Sequence, residues 1–327
     1  MANCWCGNSD LVAFTADYRR CTQCESLVVS KWPDPETFRV EDDERDFYGQ
    51  QYHQKFVATA YGYPDLEERA RADLPERCLH WLKALMKYLL PPATVLELGS
   101  GHGGFVALLS WAGFRAQGLE LSPWLATFAS ETFNVSILKG SVESQPIRKG
   151  SLDAIVLMDV LEHLPDPVGT MRHCMSLLGP LGVLLIQTPR YPAGETFEKL
   201  VELDHKFVLQ LKPNEHLFLF SEEAVRKLFL TLGGRYVYFE PAIFSHYDMF
   251  FVVSQRELAP NPQDAIAESL KASTASRLVL ALLDQDALLK KTCRQMADLE
   301  QDRNRWREWF EGMKILADSL QKDKRGG

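Results

Sequence analysis

Short apolar segments alternate with longer amphipathic segments between residues 94 and 254. The short segments are continuously apolar, which is typical of strands that are covered on both faces of a parallel sheet. The alternation therefore predicts a doubly wound, Rossmann-like α/β sheet. The predicted strands are Thr94–Leu98, Ala116–Leu121, Val135–Leu138, Ala154–Met158 and Gly182–Gln187, and the predicted helices are 103–112, 123–133, 167–178 and 221–232.

Two further apolar segments, Tyr236–Phe239 and Met249–Val253, have only a short connection between them. We expect them to pair as an antiparallel hairpin at the sheet edge. The pattern breaks down between Thr188 and Phe220, directly after the fifth strand. We expect this segment to lie over the carboxyl ends of the strands, where ligands bind in such sheets.

The remainder of the chain divides at changes of composition. A small cysteine-bearing module occupies 1–30, and a helical and aromatic lid follows at 31–92. The core spans 93–255 and carries an insertion at 188–220, before a C-terminal helical region at 256–327.

Composition narrows the location and the partners. The 327 residues are 46% apolar, which is ample for a buried core, and the net charge is −8, which does not favour a nucleic-acid partner. No run approaches the roughly 18 apolar residues of a membrane helix. The N-terminus lacks a basic segment followed by an apolar one, so we expect no signal peptide and a cytoplasmic location.

Four of the seven cysteines lie within the first 24 residues. In a reducing compartment such a cluster indicates metal ligation before disulfides. Cys4 and Cys6 form one pair, and Cys21 and Cys24 form the second. The four thiolates can surround one tetrahedral, structural zinc ion. Four free, buried cysteines are the alternative.

The first core strand ends in a carboxylate and a glycine-rich turn, with Glu97 followed by Gly99, Gly101 and Gly103. Glycines let a backbone turn sharply and bring its N–H groups close to a ligand. A carboxylate at this place suits a cationic amine better than a pyrophosphate. The sequence therefore favours S-adenosylmethionine over a nicotinamide or flavin cofactor, or over a turn that binds no ligand.

Other strand ends supply further candidate cofactor contacts. Glu120 ends the second strand, where a carboxylate can accept both hydroxyls of a ribose, with Leu121 beside it. Ser141 and Val142 follow the third strand, where we expect the adenine. The alternative for Glu120 is a surface glutamate near a strand end.

The fourth strand leads into a loop with candidate catalytic residues. Asp166 followed by Pro167 predicts a helix N-cap, which places Asp159 and His163 in that loop, at the reactive end of the cofactor. His163 is a candidate general base, since histidine titrates near neutral pH. The alternative is a tight turn in which this histidine bonds the backbone.

Four segments together resemble the class I S-adenosylmethionine-dependent methyltransferases, over about residues 93–254. The resemblance implies that the glycines flank the methionine moiety, with Glu97 near its amino group. It also implies that Glu120 holds the ribose and that Asp159 lines the methyl side. No Asn/Asp-Pro-Pro-Tyr signature follows the fourth strand, which counts against base methylation. The four segments are 97–103, 119–122, 159–167 and 182–189.

The order of cysteine module, aromatic stretch and core resembles enzymes that methylate sugars in polysaccharide and natural-product pathways. The sugar C-methyltransferases of that group carry a further C-terminal domain, whereas this sequence predicts a long helix at that place. We therefore expect O-methylation of a sugar-containing small molecule or glycan. Methylation of a phenol or quinol and a non-catalytic scaffold are the alternatives. Tyr48, Tyr52 and Tyr61 can stack on a sugar ring or pack within the lid.

The same resemblance makes His216 a second candidate base, because related methyltransferases often have a histidine before the helix that Ser221 begins here. Its alternative role is to anchor the cover of the active site. His205 and Tyr191 are weaker candidates.

Apolar residues seven positions apart in the last region predict a long amphipathic or coiled-coil helix. Eight of the ten seam positions are apolar, and Arg303 is one of the two exceptions. A homodimer, a helix folded back on the core and docking to a glycosyltransferase are the open outcomes. The seam positions are Leu289, Met296, Arg303, Phe310 and Ala317, and Thr292, Leu299, Trp306, Met313 and Leu320.

Overall fold

The computed structural model describes residues 3–38, 40–52, 62 and 64–323. Two compact units, residues 1–279 and 280–327, are described separately below. The strands are β1 Leu11–Ala13, β2 Tyr18–Cys21, β3 Leu27–Val29, β4 Thr94–Leu98, β5 Arg115–Glu120, β6 Ile137–Lys139, β7 Leu152–Met158, β8 Leu178–Pro189, β9 Phe218–Leu219, β10 Tyr236–Glu240 and β11 Asp248–Ser254. The α-helices are α1 Leu66–Ala72, α2 Leu79–Met86, α3 Gly104–Ala112, α4 Pro123–Phe133, α5 Pro167–Leu177, α6 Phe197–Glu202, α7 Glu222–Thr231, α8 Gln263–Ser269 and α9 Thr274–Asp323.

The described residues form a seven-stranded sheet in the order β10-β11-β8-β7-β4-β5-β6. The five strands from β4 to β8 are parallel, whereas β11 runs antiparallel to both β8 and β10. The predicted doubly wound sheet and its antiparallel edge hairpin are therefore confirmed. The largest difference in bounds is in β8, because Leu178 already pairs with Leu152 ahead of an irregularity in the register.

The helices begin where their capping residues require. The side chain of Asp166 accepts a hydrogen bond from Gly169 N, and that of Ser221 accepts one from Ala224 N, so both predicted N-caps are present. Ser122 caps α4 in the same way, ahead of a proline at the first helical position. These caps fix the points at which the chain leaves the carboxyl edge of the sheet.

A second, antiparallel sheet has the order β1-β2-β3-β9. The N-terminal cysteines lie in and around its first three strands: Cys21 ends β2, Cys24 lies between β2 and β3, and Cys4 and Cys6 precede β1. The fourth strand, β9, belongs to the insertion that follows β8. Val28 pairs with Phe218, and both side chains are buried. The N-terminal segment is therefore joined to the insertion by main-chain hydrogen bonds, which no local sequence pattern predicted.

The C-terminal unit is helical. The helix α9 runs from Thr274 to Asp323, and Leu289, Leu299 and Trp306 are each more than 60% exposed. None of the described helices combines the length and the apolar character that a membrane span requires.

Candidate active site

The chain turns sharply between β4 and α3. Gly99, Gly101 and Gly103 have φ values of 65°, 54° and 81°, in the left-handed region that favours glycine. A Cβ atom on Gly99 would lie 2.6 Å from the Cγ2 atom of Val160, so a larger residue would clash there. The turn brings main-chain N–H groups to the carboxyl edge of the sheet without intervening side chains.

Glu97 lies at the end of β4 and is only 3% exposed. Its Oε2 atom has no hydrogen-bond partner among the described residues. Burial raises the pKa of Glu97 well above its usual value, and the nearby charge of Glu120 raises it further. A buried carboxylate oxygen without a partner is costly and calls for a cationic or proton-donating ligand.

Glu120 ends β5 and connects the neighbouring loops. Its carboxylate accepts main-chain hydrogen bonds from Gly101 (3.0 Å), Leu121 (2.8 Å) and Ser122 (3.2 Å). Burial raises the pKa of Glu120, while these three N–H donors oppose that shift. The carboxylate thereby holds the glycine turn against the start of α4.

A cavity of about 550 Å³ runs along the carboxyl edge of the sheet. It brings together most of the residues that the sequence proposed, although they come from five separate loops. Gly103 does not line it but precedes α3, and neither Tyr191 nor His205 reaches it. The predicted residues that line it are Glu97, Gly99, Gly101, Glu120, Leu121, Ser141, Val142, Asp159, His163 and His216.

Asp159 follows β7 and has a φ of 58°, which is unusual for a residue other than glycine. Donors on both sides hold its carboxylate. Arg77 Nη2 lies 2.9 Å from Oδ2, and Gln187 Nε2 lies 3.0 Å from Oδ1. Trp81 Nε1 in turn donates to Gln187 Oε1 at 3.0 Å. This network fixes Asp159 in the strained conformation that directs the chain towards His163.

Main-chain hydrogen bonds place the insertion beside the loop after β7. Leu217 N donates to the carbonyl oxygen of Glu162 at 2.8 Å, and Val29 N donates to that of Leu217 at 3.0 Å. The imidazole rings of His163 and His216 consequently lie 4.9 Å apart, centroid to centroid, and nearly perpendicular. The structure thus brings the two candidate bases to one wall of the cavity.

Main-chain carbonyls determine the tautomer of both histidines. His163 Nδ1 lies 3.0 Å from the carbonyl oxygen of Glu215, and His216 Nδ1 lies 2.8 Å from that of Gln210. A carbonyl oxygen can only accept, so each Nδ1 carries a proton and each neutral ring keeps its lone pair on Nε2. Burial lowers the pKa of His163 and lowers that of His216 well below its usual value. His163 does bond the backbone in a turn, as its alternative interpretation held, and it still lines the cavity.

Glu162 completes this wall and was not singled out by the sequence. It is 1% exposed, its Oε2 atom accepts a hydrogen bond from the Thr188 hydroxyl at 2.9 Å, and its Oε1 atom has no partner among the described residues. Burial raises the pKa of Glu162 well above its usual value, and the charge of Asp159 adds to that effect. In the sequence, the position of Glu162 next to His163 was the one feature that could have pointed to it.

Residues 40–52 of the predicted lid contact both ends of the cavity. Asp43 accepts hydrogen bonds from the Ser122 hydroxyl (2.7 Å) and from Trp124 N (2.6 Å) at the start of α4. The Tyr48 hydroxyl lies 3.1 Å from His163 Nδ1, and the Tyr52 hydroxyl donates to Glu215 Oε2 at 2.7 Å. The third tyrosine of the sequence prediction, at position 61, lies outside the described residues.

The four N-terminal cysteines also come together. The Sγ atoms of Cys4 and Cys24 are 3.4 Å apart, and those of Cys6 and Cys21 are 3.6 Å apart. All four sulfur atoms lie within 4.8 Å of one another. Such spacing fits four sulfur ligands of a single ion with metal–sulfur bonds of about 2.3 Å.

The family model described as a methyltransferase domain matches residues 70–237. The chain belongs to this methyltransferase domain family. The predicted class I, S-adenosylmethionine-dependent methyltransferase domain is thereby confirmed, and its matched part includes the glycine turn, the loop after β7 and the insertion.

Curated relatives resemble part of this methyltransferase. A ubiquinone biosynthesis O-methyltransferase from Xanthomonas campestris pv. campestris is 33% identical over 153 residues, which are 43% of this chain and 62% of that protein. The corresponding protein from Xanthomonas axonopodis pv. citri is 34% identical over 153 residues, with the same shares covered. The chain thus spans less than two thirds of the length of the relatives it matches.

Solved methyltransferase structures show a more distant similarity. Phosphoethanolamine N-methyltransferase 2 from Haemonchus contortus aligns with a TM-score of 0.48 and 13% identity, over 63% of this chain and 60% of that one. A chain from the complex of the Haloferax volcanii Trm112 methyltransferase activator with a methyltransferase aligns with a TM-score of 0.44 and 19% identity, over 60% and 99%. At these values the similarity supports no inference about substrates or partners.

The residues of the methyltransferase domain fit S-adenosylmethionine. The unpartnered Oε2 atom of Glu97 can receive the cationic amino group of the cofactor, whereas it would repel a pyrophosphate. A Cβ atom built on Gly101 meets no atom within 4 Å, so this stretch of main chain leaves room for a ligand. The carboxylate and the turn therefore select a positively charged ligand.

Replacing Glu97 by glutamine is expected to weaken S-adenosylmethionine binding. A hydrogen bond to a charged group contributes about 1.5–3 kcal/mol, which corresponds to a loss of affinity of roughly 10- to 100-fold. The cationic amino group prefers the ionised carboxylate, and burial raises the pKa of Glu97, so wild-type affinity should increase as the pH rises through that pKa. Isothermal titration calorimetry at several pH values measures both effects.

The exposed Glu131 provides the matched control, since Glu131→Gln makes the same chemical change on the outside of α4. The control should retain both the wild-type affinity and its pH dependence. Equal affinities for Glu97→Gln and wild type would contradict the assignment of the amino-group site.

Proposed function

We propose that this methyltransferase transfers the methyl group of S-adenosylmethionine to a hydroxyl group of a sugar-containing small molecule or glycan. The observation that carries the proposal is the wall formed by His163 and His216, whose Nε2 lone pairs are available beside the loop that bears Asp159. Neutral nitrogen acceptors of this kind suit a hydroxyl, which must lose a proton as it is methylated.

The cofactor would lie along the cavity from the glycine turn to the loop after β7. We assign the methionine moiety to the glycine turn with its amino group at Glu97, the ribose to Glu120 and Leu121, and the adenine to Ser141 and Val142. Asp159 would then line the side on which the methyl group is presented. The glycines of the turn are Gly99, Gly101 and Gly103.

The acceptor hydroxyl would be activated at His163 and His216, and its oxygen would attack the sulfonium methyl group in line. Most of the acceleration would come from holding donor and acceptor in this alignment, an effect of about 7–11 kcal/mol where the geometry is good. The hydroxyl proton leaves as the carbon–oxygen bond forms.

Aromatic rings near the histidines support a sugar acceptor. Tyr48 and Tyr52 lie 5.1 Å apart, centroid to centroid, and line the cavity together with Phe38 and Phe244. Aromatic faces can pack against the apolar C–H face of a sugar ring, while Glu215 and Asp159 can accept hydrogen bonds from its hydroxyls. Tyr48 also packs against Phe38 and Tyr52, so these rings contribute to packing within the lid as well.

A phenol or quinol is the second candidate acceptor. The similarity to ubiquinone biosynthesis O-methyltransferases favours it, since those proteins share the central part of the chain. The same aromatic residues could stack on a planar ring. A panel of acceptors that contains sugar nucleotides, glycans and catechols separates the two candidates.

The N-terminal cysteines are proposed to hold a structural zinc ion. We also retain the division into a zinc module at 1–30, a lid at 31–92, a core at 93–255 and a C-terminal region at 256–327. The S–S distances support the zinc site, and the pairing of β3 with β9 gives it a role in holding the insertion in place. A cytoplasmic location is part of the same proposal.

For the helix α9 we propose a parallel, two-stranded coiled coil with a second copy of the chain. Leu289, Leu299 and Trp306 lie on its seam and are exposed. With Leu289 at position a, Asp302 falls at position g and Arg307 at the following position e, so the two can form ion pairs between parallel helices. This charge pattern favours a second copy over a glycosyltransferase partner.

Alanine at His163 or at His216 is expected to lower turnover on the true acceptor by about 100-fold or more, the usual size of an acid–base contribution. The affinity for S-adenosylmethionine should change little, because among the described residues the rings bond to Glu215 and Gln210 and not to the glycine turn. Radiolabelled methyl transfer and calorimetry give the two quantities.

The exposed His246 serves as the control, and His246→Ala should retain wild-type turnover. Full activity in both His163→Ala and His216→Ala would show that the acceptor is activated elsewhere.

Purified protein should contain one equivalent of zinc that depends on the N-terminal cysteines. The double replacement of Cys4 and Cys21 by serine should remove it, since two of four thiolate ligands are lost. Cys293→Ser, which changes an exposed cysteine of α9, should retain the metal. Elemental analysis by mass spectrometry measures the ratio, and zinc content unaffected by the double replacement would contradict the site.

Sedimentation equilibrium tests the coiled coil. The wild-type chain should sediment at twice its mass of 37.2 kDa, and Leu299→Asp should sediment as a monomer because it buries a charge in the seam. Ala297→Asp places the same charge on the outer face of α9 and should leave the dimer intact. A monomeric wild type, or a dimer in both variants, would refute the proposed seam.

A further inference from the structure

Three ligand-type atoms converge on one wall of the cavity. One nitrogen from each of His163 and His216 and one carboxylate oxygen of Glu162 lie within 4.8 Å of one another. The distance from His163 Nε2 to Glu162 Oε1 is 4.0 Å. All three residues line the cavity.

The remaining polar atom of each side chain is already bonded to the protein. Nδ1–H of His163 donates to the carbonyl oxygen of Glu215, and Nδ1–H of His216 donates to that of Gln210. Glu162 Oε2 accepts from the Thr188 hydroxyl. These outer bonds leave Nε2 of each ring and Oε1 of Glu162 as the atoms available to a ligand, as outer hydrogen bonds do around metal ligands.

When Glu162 is ionised, its Oε1 atom lies beside the two rings without a hydrogen-bond partner among the described residues, which is unfavourable in a buried place. His163 Nε2 and Glu162 Oε1 do not form a hydrogen bond, because the 4.0 Å between them is too long for one. A metal ion can bridge the two atoms, since bonds of about 2.1 Å put two of its ligands about 3.4 Å apart at a tetrahedral angle. Drawing the three atoms together from 4.8 Å takes about 1.4 Å, within the reach of side-chain torsions.

We propose that Glu162, His163 and His216 bind a divalent first-row transition-metal ion, with an open coordination position towards the cavity. Two imidazole nitrogens and one carboxylate oxygen suit Mn²⁺, Fe²⁺, Co²⁺ or Zn²⁺ and leave further positions for an external oxygen ligand. The buried and unpartnered Oε1 atom of Glu162 is the independent sign that a ligand belongs there. The site is distinct from the cysteine cluster, which offers sulfur alone.

The inference rests on the proposed function, but it replaces direct proton transfer to the two Nε2 atoms with activation of the acceptor by the ion that they hold. The acceptor hydroxyl oxygen binds the ion, which lowers the pKa of that hydroxyl, and its proton passes to water. The oxygen–methyl bond then forms as the sulfur–methyl bond breaks. The products are the methyl ether, S-adenosylhomocysteine and one proton.

Manganese distinguishes this site from the cysteines, because Mn²⁺ prefers oxygen and nitrogen ligands to thiolates. Titration of the full-length protein with Mn²⁺, followed by the electron paramagnetic resonance signal of the free ion, should show one bound ion per chain. Glu162→Gln and His216→Gln should each weaken binding at least tenfold. His246→Gln is the control and should bind as wild type does, since His246 is exposed and outside the trio.

Thr188→Val keeps the proposed ligands and removes only the hydroxyl that orients Glu162. It should bind Mn²⁺ about 10- to 100-fold more weakly, the usual effect of losing an outer partner. Circular dichroism and S-adenosylmethionine affinity establish that each variant is folded. Absence of stoichiometric Mn²⁺ binding in wild type, or equal binding in Glu162→Gln, Thr188→Val and His246→Gln, would overturn the site.

Turnover separates this inference from the proposed function. With an accepted substrate, chelator-treated enzyme should lose activity and regain it on addition of Mn²⁺. Full turnover of the chelator-treated enzyme without added metal would refute a catalytic role for the ion. The proposal that the enzyme methylates a hydroxyl group would be unaffected. Stoichiometric binding without methylation of any hydroxyl acceptor would instead support the ion site and refute the proposed function.

Discussion

Two carboxylates buried side by side at the carboxyl edge of the sheet are the constraint on which this structure depends. Glu97 lies in β4 opposite Gly118 of β5, and Glu120 ends that same strand. Three main-chain N–H groups offset part of the cost of burying Glu120, whereas one oxygen of Glu97 has no partner in the part of the chain that the structure describes. A cation is the ligand that relieves this arrangement, and the glycine turn brings it within reach.

The part of the fold that could be predicted is the part with local causes. The parallel strands are short apolar runs, and Asp166 and Ser221 mark helix starts that the structure retains. Glu97 and its glycines are adjacent in sequence, so their chemistry could be interpreted before any contact was known. Strand ends meet at one edge of a parallel sheet, which is why most proposed cofactor contacts share a single cavity.

Contacts between distant segments left no such signal. The pairing of Val28 with Phe218 joins positions 190 residues apart through a strand of two residues, too short for any periodicity. Asp43 caps a helix that begins eighty residues later, and its sequence shows only an acidic run. Glu162 lies in the segment 159–167, which the sequence singled out, but its proposed role depends on His216. The hydrogen bond from Leu217 N to the carbonyl oxygen of Glu162 brings His216 beside it.

The hydroxyl of the fully buried Tyr18 donates to the carbonyl oxygen of His216 at 2.8 Å. The opening stretch of the polypeptide is therefore bonded to the segment that carries His216, although it does not itself line the cavity. A chimera in which another sequence replaced the first thirty residues would lose the hydrogen bond from Tyr18 that holds the main chain at His216. A substitution in the first thirty residues can therefore shift the position of His216, although it is far from that histidine along the chain.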